Sequence, residues 1–550
     1  MSGESILERV MLAFEGDEVP RWVEKRLAEA PVAGVTLFMA VNVLRPGQVR
    51  ALTEQFQRAG VGGMAVGWGA GGAGGASGAA GSSGARGPSG PLLVAADQEG
   101  GQLNALGADA TQFAGNMALG AVGDTDLTER VGAAIGREAR AMGVNVVYAP
   151  VLDLATEPNN SALGIRSYGD DPTEVGRHGA AMVRGLQSAG VAATVKHFPG
   201  LGDVSQDTHH ALGVVAGDAK RLETHEFVPF AAAFQAGAKA VMSAHIAVPA
   251  LTGDSTLPAT LSRVVMGDTL RGRLGFRGIT ISDALDMHAL AQGAAQAVEV
   301  IAAIRAGIDL LLTAADRPAL RRIEETLSAA AARNLFEPDE SAAASARLAE
   351  LRSWLAAAGP QPDLDVVGSA EHRAISRELA ERSLTRLDRA TDGTQPPPIA
   401  FAPTTRWLAI MPEPLDLTPA DTSSAVPPGL GRAMRTRFAS VDDVVVSVAP
   451  DDAEIARLRG RADSFDAVVV GTIEAHRQHA QAALVRAIAE TGVPTVAVAL
   501  RTPWDAAVYP PGVPAVATYS ILPDALEALA RALAGEIGFT GRLPVARLSR

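Results

Sequence analysis

The sequence predicts a (β/α)8 TIM-type barrel followed by a smaller α/β layer domain, on three observations. Short apolar runs alternate with amphipathic stretches along the first part of the chain. Polar residues stand repeatedly at the C-terminal ends of those runs. Past a Pro/Gly-bearing stretch at 355–372, AAAGPQPDLDVVGSAEH, a second series of apolar runs begins without such strand-end residues.

In order, the first-part runs are GVTLF at 34–38, LLVAAD at 92–97, NVVYAPVLD at 145–153 and VAATVKHF at 191–198. AVMSAH at 240–245, GITISD at 278–283 and IDLLLTA at 308–314 complete the set. Continuous apolarity, rather than alternation, marks strands of a parallel sheet covered on both faces. Helical patterns such as TERVGAAIGREARAMG and EVGRHGAAMVRGLQSAG lie between them. Seven or eight such units in roughly 350 residues favour a closed barrel over an open sheet. Asp97, Asp153, Lys196 with His197, His245 and Asp283 stand at the run ends. In a barrel those ends meet at one mouth, where such folds build their sites. A buried strand ends in a charge when that charge meets solvent, a partner or a ligand.

A Gly/Ala/Ser tract at about 61–90 is too poor in apolar surface to offset its ordering entropy and is expected to be a flexible loop. The barrel is expected over 1–360, a linker with a connecting helix over 361–400, and the second domain over 401–550. There WLAIMP, DDVVVSVAP, FDAVVVGT, PTVAVAL and PAVATYS read as strands between helices, with a structural role.

Composition narrows the function. The chain has 550 residues, 47% of them apolar and 20% charged, as expected of a soluble globular protein. A formal charge of -13 disfavours nucleic acid or an anionic membrane as partner. With no cysteine, thiolate metal sites, disulfides and cysteine nucleophiles are excluded. The first residues lack the pattern of a signal peptide, and no apolar run reaches membrane-spanning length, so a cytoplasmic location is expected. Lysine occurs at only four positions, which makes Lys196 less expected as a casual surface charge.

The densest chemistry lies in Lys196-His197-Phe198-Pro199-Gly200-Leu201-Gly202-Asp203, running on to Asp207-Thr208-His209. An Asp two residues before a His can orient the imidazole and support its cation, a common general acid/base. Asp283, after the apolar run GITIS, is placed to attack an anomeric carbon and form a covalent glycosyl intermediate. Asp97, Arg166 and Lys196 suit charge-assisted hydrogen bonds to sugar hydroxyls or an acyl group. The site residues together point to hydrolysis or transfer at a sugar. Scarce Trp and Tyr point to an exo-acting pocket rather than a long cleft lined with stacking platforms.

DQEGG at 97–101, APVLD at 149–153, GIRSYGDDP at 164–172, KHFPG at 196–200, DTH at 207–209 and SDALDM at 282–287 occur in one order. In that ordered set the chain resembles glycoside hydrolase family 3, specifically its bacterial β-N-acetylglucosaminidases, over nearly its whole length. The resemblance implies an αβα sandwich as second domain, matched by RELAERSLTRLD and GEIGFTGRLPV. It implies Asp283 as nucleophile, His209 as acid/base and Asp207 as its dyad partner. It places Asp97, Arg166, Lys196 and His197 as substrate-binding positions. It implies N-acetylglucosamine from peptidoglycan turnover or chitooligosaccharides as the sugar, with no metal and no cofactor. Other branches of the family draw their acid/base carboxylate from the second domain; the DTH motif looks like the N-acetylglucosaminidase branch.

Two departures stand out. The family often reads KHFPGHGD, and here the second His is Leu201; it also reads DQEGGxVxR, and here Ala105 replaces the Arg. Either Asn104 supplies the missing contact or sugar specificity differs. A phosphorylase stays open beside hydrolysis, since a carboxylate base would repel phosphate by about 4 kcal/mol at 4 Å and a His would not. A β-glucosidase or β-xylosidase of the same family also stays open, as does a sugar-binding protein without activity. Asp286 beside Asp283 is an alternative pocket residue. Asp153 is read as support for the rim or for Arg166, and His245 as a buried hydrogen-bonded residue.

Overall fold

A computed structural model describes residues 6–60, 90–205, 208, 210–388 and 398–548. The Gly-rich tract at 61–89 therefore lies outside the described residues.

Eight parallel strands form one sheet: β1 (Val10–Leu12), β2 (Gly34–Leu37), β3 (Leu93–Ala96), β4 (Val146–Val147), β5 (Ala192–Phe198), β6 (Ala240–Ser243), β7 (Ile279–Ser282) and β8 (Leu311–Leu312). They run in the order β7-β6-β5-β4-β3-β2-β1-β8, and a parallel bridge from Ile281 to Leu310 closes β7 onto β8. The expected barrel is present. All seven apolar runs contain a strand, and the eighth strand, β1, lies in VMLAF at 10–14, an apolar stretch outside those seven runs. In the third run the regular strand stops at Val147; Pro150 has no N–H to donate, but its carbonyl accepts from the Lys196 amide and Val151 bridges to Lys196, so pairing with β5 continues.

Alternate strand residues point inward. Met11, Ala95, Val146, Ala192, Met242, Ile281 and Leu312 meet in one interior cluster. The helix Pro338–Ala356 crosses the bottom, and its Leu348, Leu351 and Leu355 join that cluster and plug the barrel. Outside, the helices Thr125–Ala141 and Pro172–Ser188 pack against each other. Asp124 and Asp171 cap them by accepting amide hydrogen bonds at their first turns.

The second sheet has six strands: β9 (Thr385–Arg386), β10 (Arg406–Pro412), β11 (Ser440–Val446), β12 (Ala467–Thr472), β13 (Thr495–Ala499) and β14 (Ala515–Ala517). Their order is β9-β14-β13-β12-β10-β11, parallel except for β9, which pairs antiparallel with β14. The five expected strands are all there; β9 is an addition of two residues. Helix Ala370–Ser383 packs between helix Pro523–Leu533 and the barrel helices. The tail returns to the barrel, where the Arg542 amide donates to Ala121 O and the Ala546 amide to Asp170. No helix of the described residues is long and apolar enough to cross a membrane.

Candidate active site

At the C-terminal ends of the barrel strands lies a pocket of about 340 Å3, near the small end of the range for small-molecule sites. Asp97, Arg166, Lys196, His197 and Asp283 all line it. The chain thus brings together five of the seven residues named from sequence. Asp207 and His209 lie outside the described residues, while Thr208 between them in sequence lines the pocket.

Local structure explains how β5 presents two successive side chains to one site. Its register with β6 shifts between Val195 and Phe198. Such an irregularity re-aims side chains that strict alternation would send to opposite faces, so Lys196 and His197 both reach the mouth. The turn that follows depends on glycine: Gly200 has φ +117°. A Cβ on Gly202 would lie 1.8 Å from the Leu154 carbonyl oxygen.

Charge at the site is arranged as a closed set. Lys196 Nζ sits 2.6 Å from Asp97 Oδ1 and 2.6 Å from Glu99 Oε1. Glu99 also takes both arms of Arg166, from Nε at 2.8 Å and Nη2 at 2.9 Å, a bidentate pair. Arg166 Nη1 donates to Ala162 O at 2.7 Å. Burial alone would raise the Glu99 carboxyl, but Arg166 and Lys196 outweigh it and hold it at about 2. Burial pushes Lys196 down, and the Asp97 and Glu99 carboxylates more than restore it, so its ammonium stays charged. Asp97 keeps about a fifth of its side chain exposed, whereas Glu99 is sealed.

Glu99, the third residue of DQEGG, has no role in the sequence reading. The missed signal is the spacing: in an extended segment residues two apart share a face, so Asp97 and Glu99 both meet Lys196. Two buried cations also demand two acids.

His197 is fixed from behind. Its Nδ1 lies 2.7 Å from Asp153 Oδ2, and Asp153 also accepts from the amides of His197 and Leu201, the latter at 2.8 Å. With Nδ1 directed at Asp153, the other ring nitrogen is the one left for a ligand. Asp153 thus supports His197; the partner of Arg166 is Glu99.

Asp283 ends β7, with its amide donating to Ser243 O and its Oδ1 accepting from the Ala284 amide at 2.8 Å. Asp286 also lines the pocket and is the more exposed of the two. His245 is fully buried, 2.8 Å from Thr260 Oγ1 by its Nδ1, and burial lowers its pKa despite the nearby Asp283. It is a packed, neutral barrel residue, as read from sequence.

Both departures from the family pattern fall in the pocket wall, where Leu201 and Ala105 are lining residues. Asn104 does not take over the missing Arg contact. Its amide nitrogen donates to Gly101 O, its oxygen accepts from Gln98, and it is absent from the pocket lining.

The expectation of a purely structural second domain is overturned. Pro419, Ala420, Asp421 and Thr422, in the loop after β10, form one wall of the pocket. Thr422 N donates to Gln102 O at 2.7 Å, and Gln102 Nε2 donates to Ala420 O at 3.2 Å. Arg501, after β13, pairs with Asp421 at 2.8 Å. His476, after β12, is held 2.8 Å from Asp505 and has its Nε2 3.0 Å from Pro158 O on the barrel. Strand-end polar residues in this sheet therefore lock the wall to the barrel, a role no local pattern announces. Among the described residues no group of three or more acid or His side chains is placed to hold a metal.

Comparison with known proteins agrees with this architecture. The family model for the glycosyl hydrolase family 3 N-terminal domain matches residues 82–344. Beta-hexosaminidase A of Pseudoalteromonas piscicida is 34% identical over 333 residues, which are 56% of this chain and 54% of that protein. The match thus spans about half of that relative's length. A beta-hexosaminidase of Stenotrophomonas maltophilia is 37% identical over 251 residues, 44% of this chain and 72% of that protein. Among solved structures, a glycoside hydrolase family 3 beta-N-acetylglucosaminidase from Paenibacillus sp. superposes with TM-score 0.88 at 31% identity, covering 100% of this chain and 99% of that one.

Proposed function

The chain belongs to glycoside hydrolase family 3, and from that premise we propose that it is a retaining, exo-acting β-N-acetylglucosaminidase. Its substrates are terminal β-linked N-acetylglucosamine units of peptidoglycan fragments or chitooligosaccharides. The observation that carries the reading is Asp283 at the end of β7, in one small pocket with Asp97, Arg166, Lys196 and His197.

In this reading Asp283 attacks the anomeric carbon as the glycosidic oxygen leaves, forming a covalent glycosyl ester. His209, paired with Asp207, gives the leaving oxygen its proton and then takes one from the incoming water. The pocket position of Thr208, which the two flank in sequence, supports that assignment. Asp97 and the fixed His197 grip ring substituents, with Lys196 donating beside them. Arg166, occupied by Glu99 and Ala162, shapes that side of the pocket. The volume suits one sugar ring, and the names of the relatives support the acetamido sugar.

The test is trapping with a 5-fluoro N-acetylglucosaminide, followed by peptide mass mapping. The reading expects the label on Asp283; a label on Asp286 or any other residue overturns it. Turnover of aryl N-acetylglucosaminide in preference to aryl glucoside checks the sugar. Release of free sugar rather than sugar 1-phosphate in phosphate buffer separates hydrolysis from phosphorolysis.

A further inference from the structure

A second cavity, of about 210 Å3, opens at the opposite end of the barrel, beside the plugging helix Pro338–Ala356. Five arginines line it, and three of them, from separate parts of the fold, face inward: Arg9 just before β1, Arg271 from the segment before β7, and Arg347 on the plugging helix, with Arg263 and Arg305 more exposed at the rim. All three surround one buried acid, Asp309. Arg347 Nη2 lies 2.5 Å from Asp309 Oδ1, and Arg271 Nη2 lies 2.7 Å from Oδ2. The Thr280 amide donates to Oδ2 as well, at 3.0 Å. That carboxylate is fully engaged.

Arg9 is left over. It is 94% buried by its 6% exposure. Its guanidinium has five N–H donors, and its one hydrogen bond among the described residues is a long 3.4 Å contact to Ile308 O. Burial lowers its pKa, outweighing the pull of Asp309 and Glu340. Arg271 Nε is also buried without a hydrogen-bond partner. The remaining acids do not supply the deficit. Glu340 is taken by Arg263, and Asp268 and Glu337 are exposed at the rim, where Arg305 is exposed too.

We propose that this cavity binds a small phosphate-bearing anion. A buried guanidinium persists where an acceptor completes it. A planar carboxylate already serves Arg271 and Arg347, so what is missing is an anion with oxygens directed several ways. Phosphate matches that need and the guanidinium fork. The cavity holds more than a bare ion, and Ile304 and Phe336 in its wall suit a short organic body carrying the phosphate. The ligand is therefore free phosphate or a small phosphate monoester, bound far from the sugar pocket.

Calorimetric titration of the full chain with inorganic phosphate, glycerol 3-phosphate and glycerol, at constant ionic strength, tests this. Saturable binding of at least one phosphate probe and none of glycerol is expected. Arg9→Gln should weaken it by about tenfold or more, the usual loss for a hydrogen bond to a charged group. Arg305→Gln, at the exposed rim, should weaken it less and keeps the test decisive if Arg9→Gln fails to fold by circular dichroism. Both variants leave the sugar pocket intact, so phosphate bound there would be unaffected. Preference for glycerol 3-phosphate assigns the monoester, and equal or tighter binding of inorganic phosphate assigns the free ion. No saturable binding, or undiminished binding in every folded variant, overturns the proposal.

Discussion

At the mouth of the barrel two buried cations meet two carboxylates, whereas at the bottom three arginines converge on one. Lys196 and Arg166 share Asp97 and Glu99 within 2.6–2.9 Å. Arg9, Arg271 and Arg347 share Asp309, and Arg9 gets no direct part of it. The balanced set forms a frame in which each charge is held by another, so a ligand in the pocket would meet fixed groups rather than mobile ones. The unbalanced set is incomplete as a structural device, and that is what marks it as a place for something else.

The sharpest break in this comparison comes from removing the shared acid at the mouth. Glu99→Gln leaves Arg166 and Lys196 buried with Asp97 as their one remaining acid in the cluster. A loss of about 3–5 kcal/mol is expected, as for any buried pair stripped of one partner. Denaturant unfolding monitored by far-UV signal measures it. A change below about 1 kcal/mol, the size of a surface pair, would show that the cluster is not a frame.

Acid titration probes the same frame without mutation. Folded, Glu99 stays charged down to about pH 2, against an ordinary value of 4.5. Between those values the unfolded chain binds the extra proton, so stability falls as pH drops through the window. The shift corresponds to on the order of 3 kcal/mol. His245 adds an earlier, shallower fall. Burial keeps it neutral when folded, while the unfolded ring takes a proton below about pH 6.5. Unfolding curves across pH 2–7 should show both segments, and the Glu99→Gln protein should lack the lower one.

At the bottom the expected sign reverses. Arg9→Met keeps the aliphatic stem and removes a largely buried charge held by one long hydrogen bond, so stability without phosphate should be unchanged or raised by about 1–2 kcal/mol. A loss of similar size would mean Arg9 is held by the protein alone. The contrast with Glu99→Gln is what the two clusters predict.

How far the sequence reached follows the same division between local and tertiary causes. Lys196, His197, Asp97 and Asp283 were legible because each stands at the end of an apolar run, and such ends in a barrel converge. Glu99 was not, because its partners Arg166 and Lys196 are 67 and 97 positions away. The strand at Val10–Leu12 lies in VMLAF, an apolar stretch as long as GVTLF, so its signal is local too, and pairing with β2 and β8 completes it. The pocket wall at 419–422 carries no strand-end signature of its own; Gln102 and Arg501 put it there. Asp207 and His209 rest on their spacing and on family resemblance.

That wall supplies the smallest predicted effect and the most specific one. Thr422 Oγ1 donates to Gln102 O at 3.0 Å and accepts from the Asn104 amide at 3.2 Å, so one hydroxyl ties the second domain to the loop carrying Ala105. Thr422→Val keeps the branched shape and the Thr422 amide bond to Gln102 O while removing both hydroxyl contacts. Each is worth about 0.5–1.5 kcal/mol. The Thr422 hydroxyl bonds to the Gln102 and Asn104 backbone and has no part in the proposed bond-breaking, so the loss should fall on ground-state binding. KM for N-acetylglucosaminide should rise roughly twofold to tenfold with kcat little changed. A fall in kcat with KM constant would instead place the second domain in the reaction itself, and the division between a catalytic barrel and a wall-forming partner would have to be redrawn.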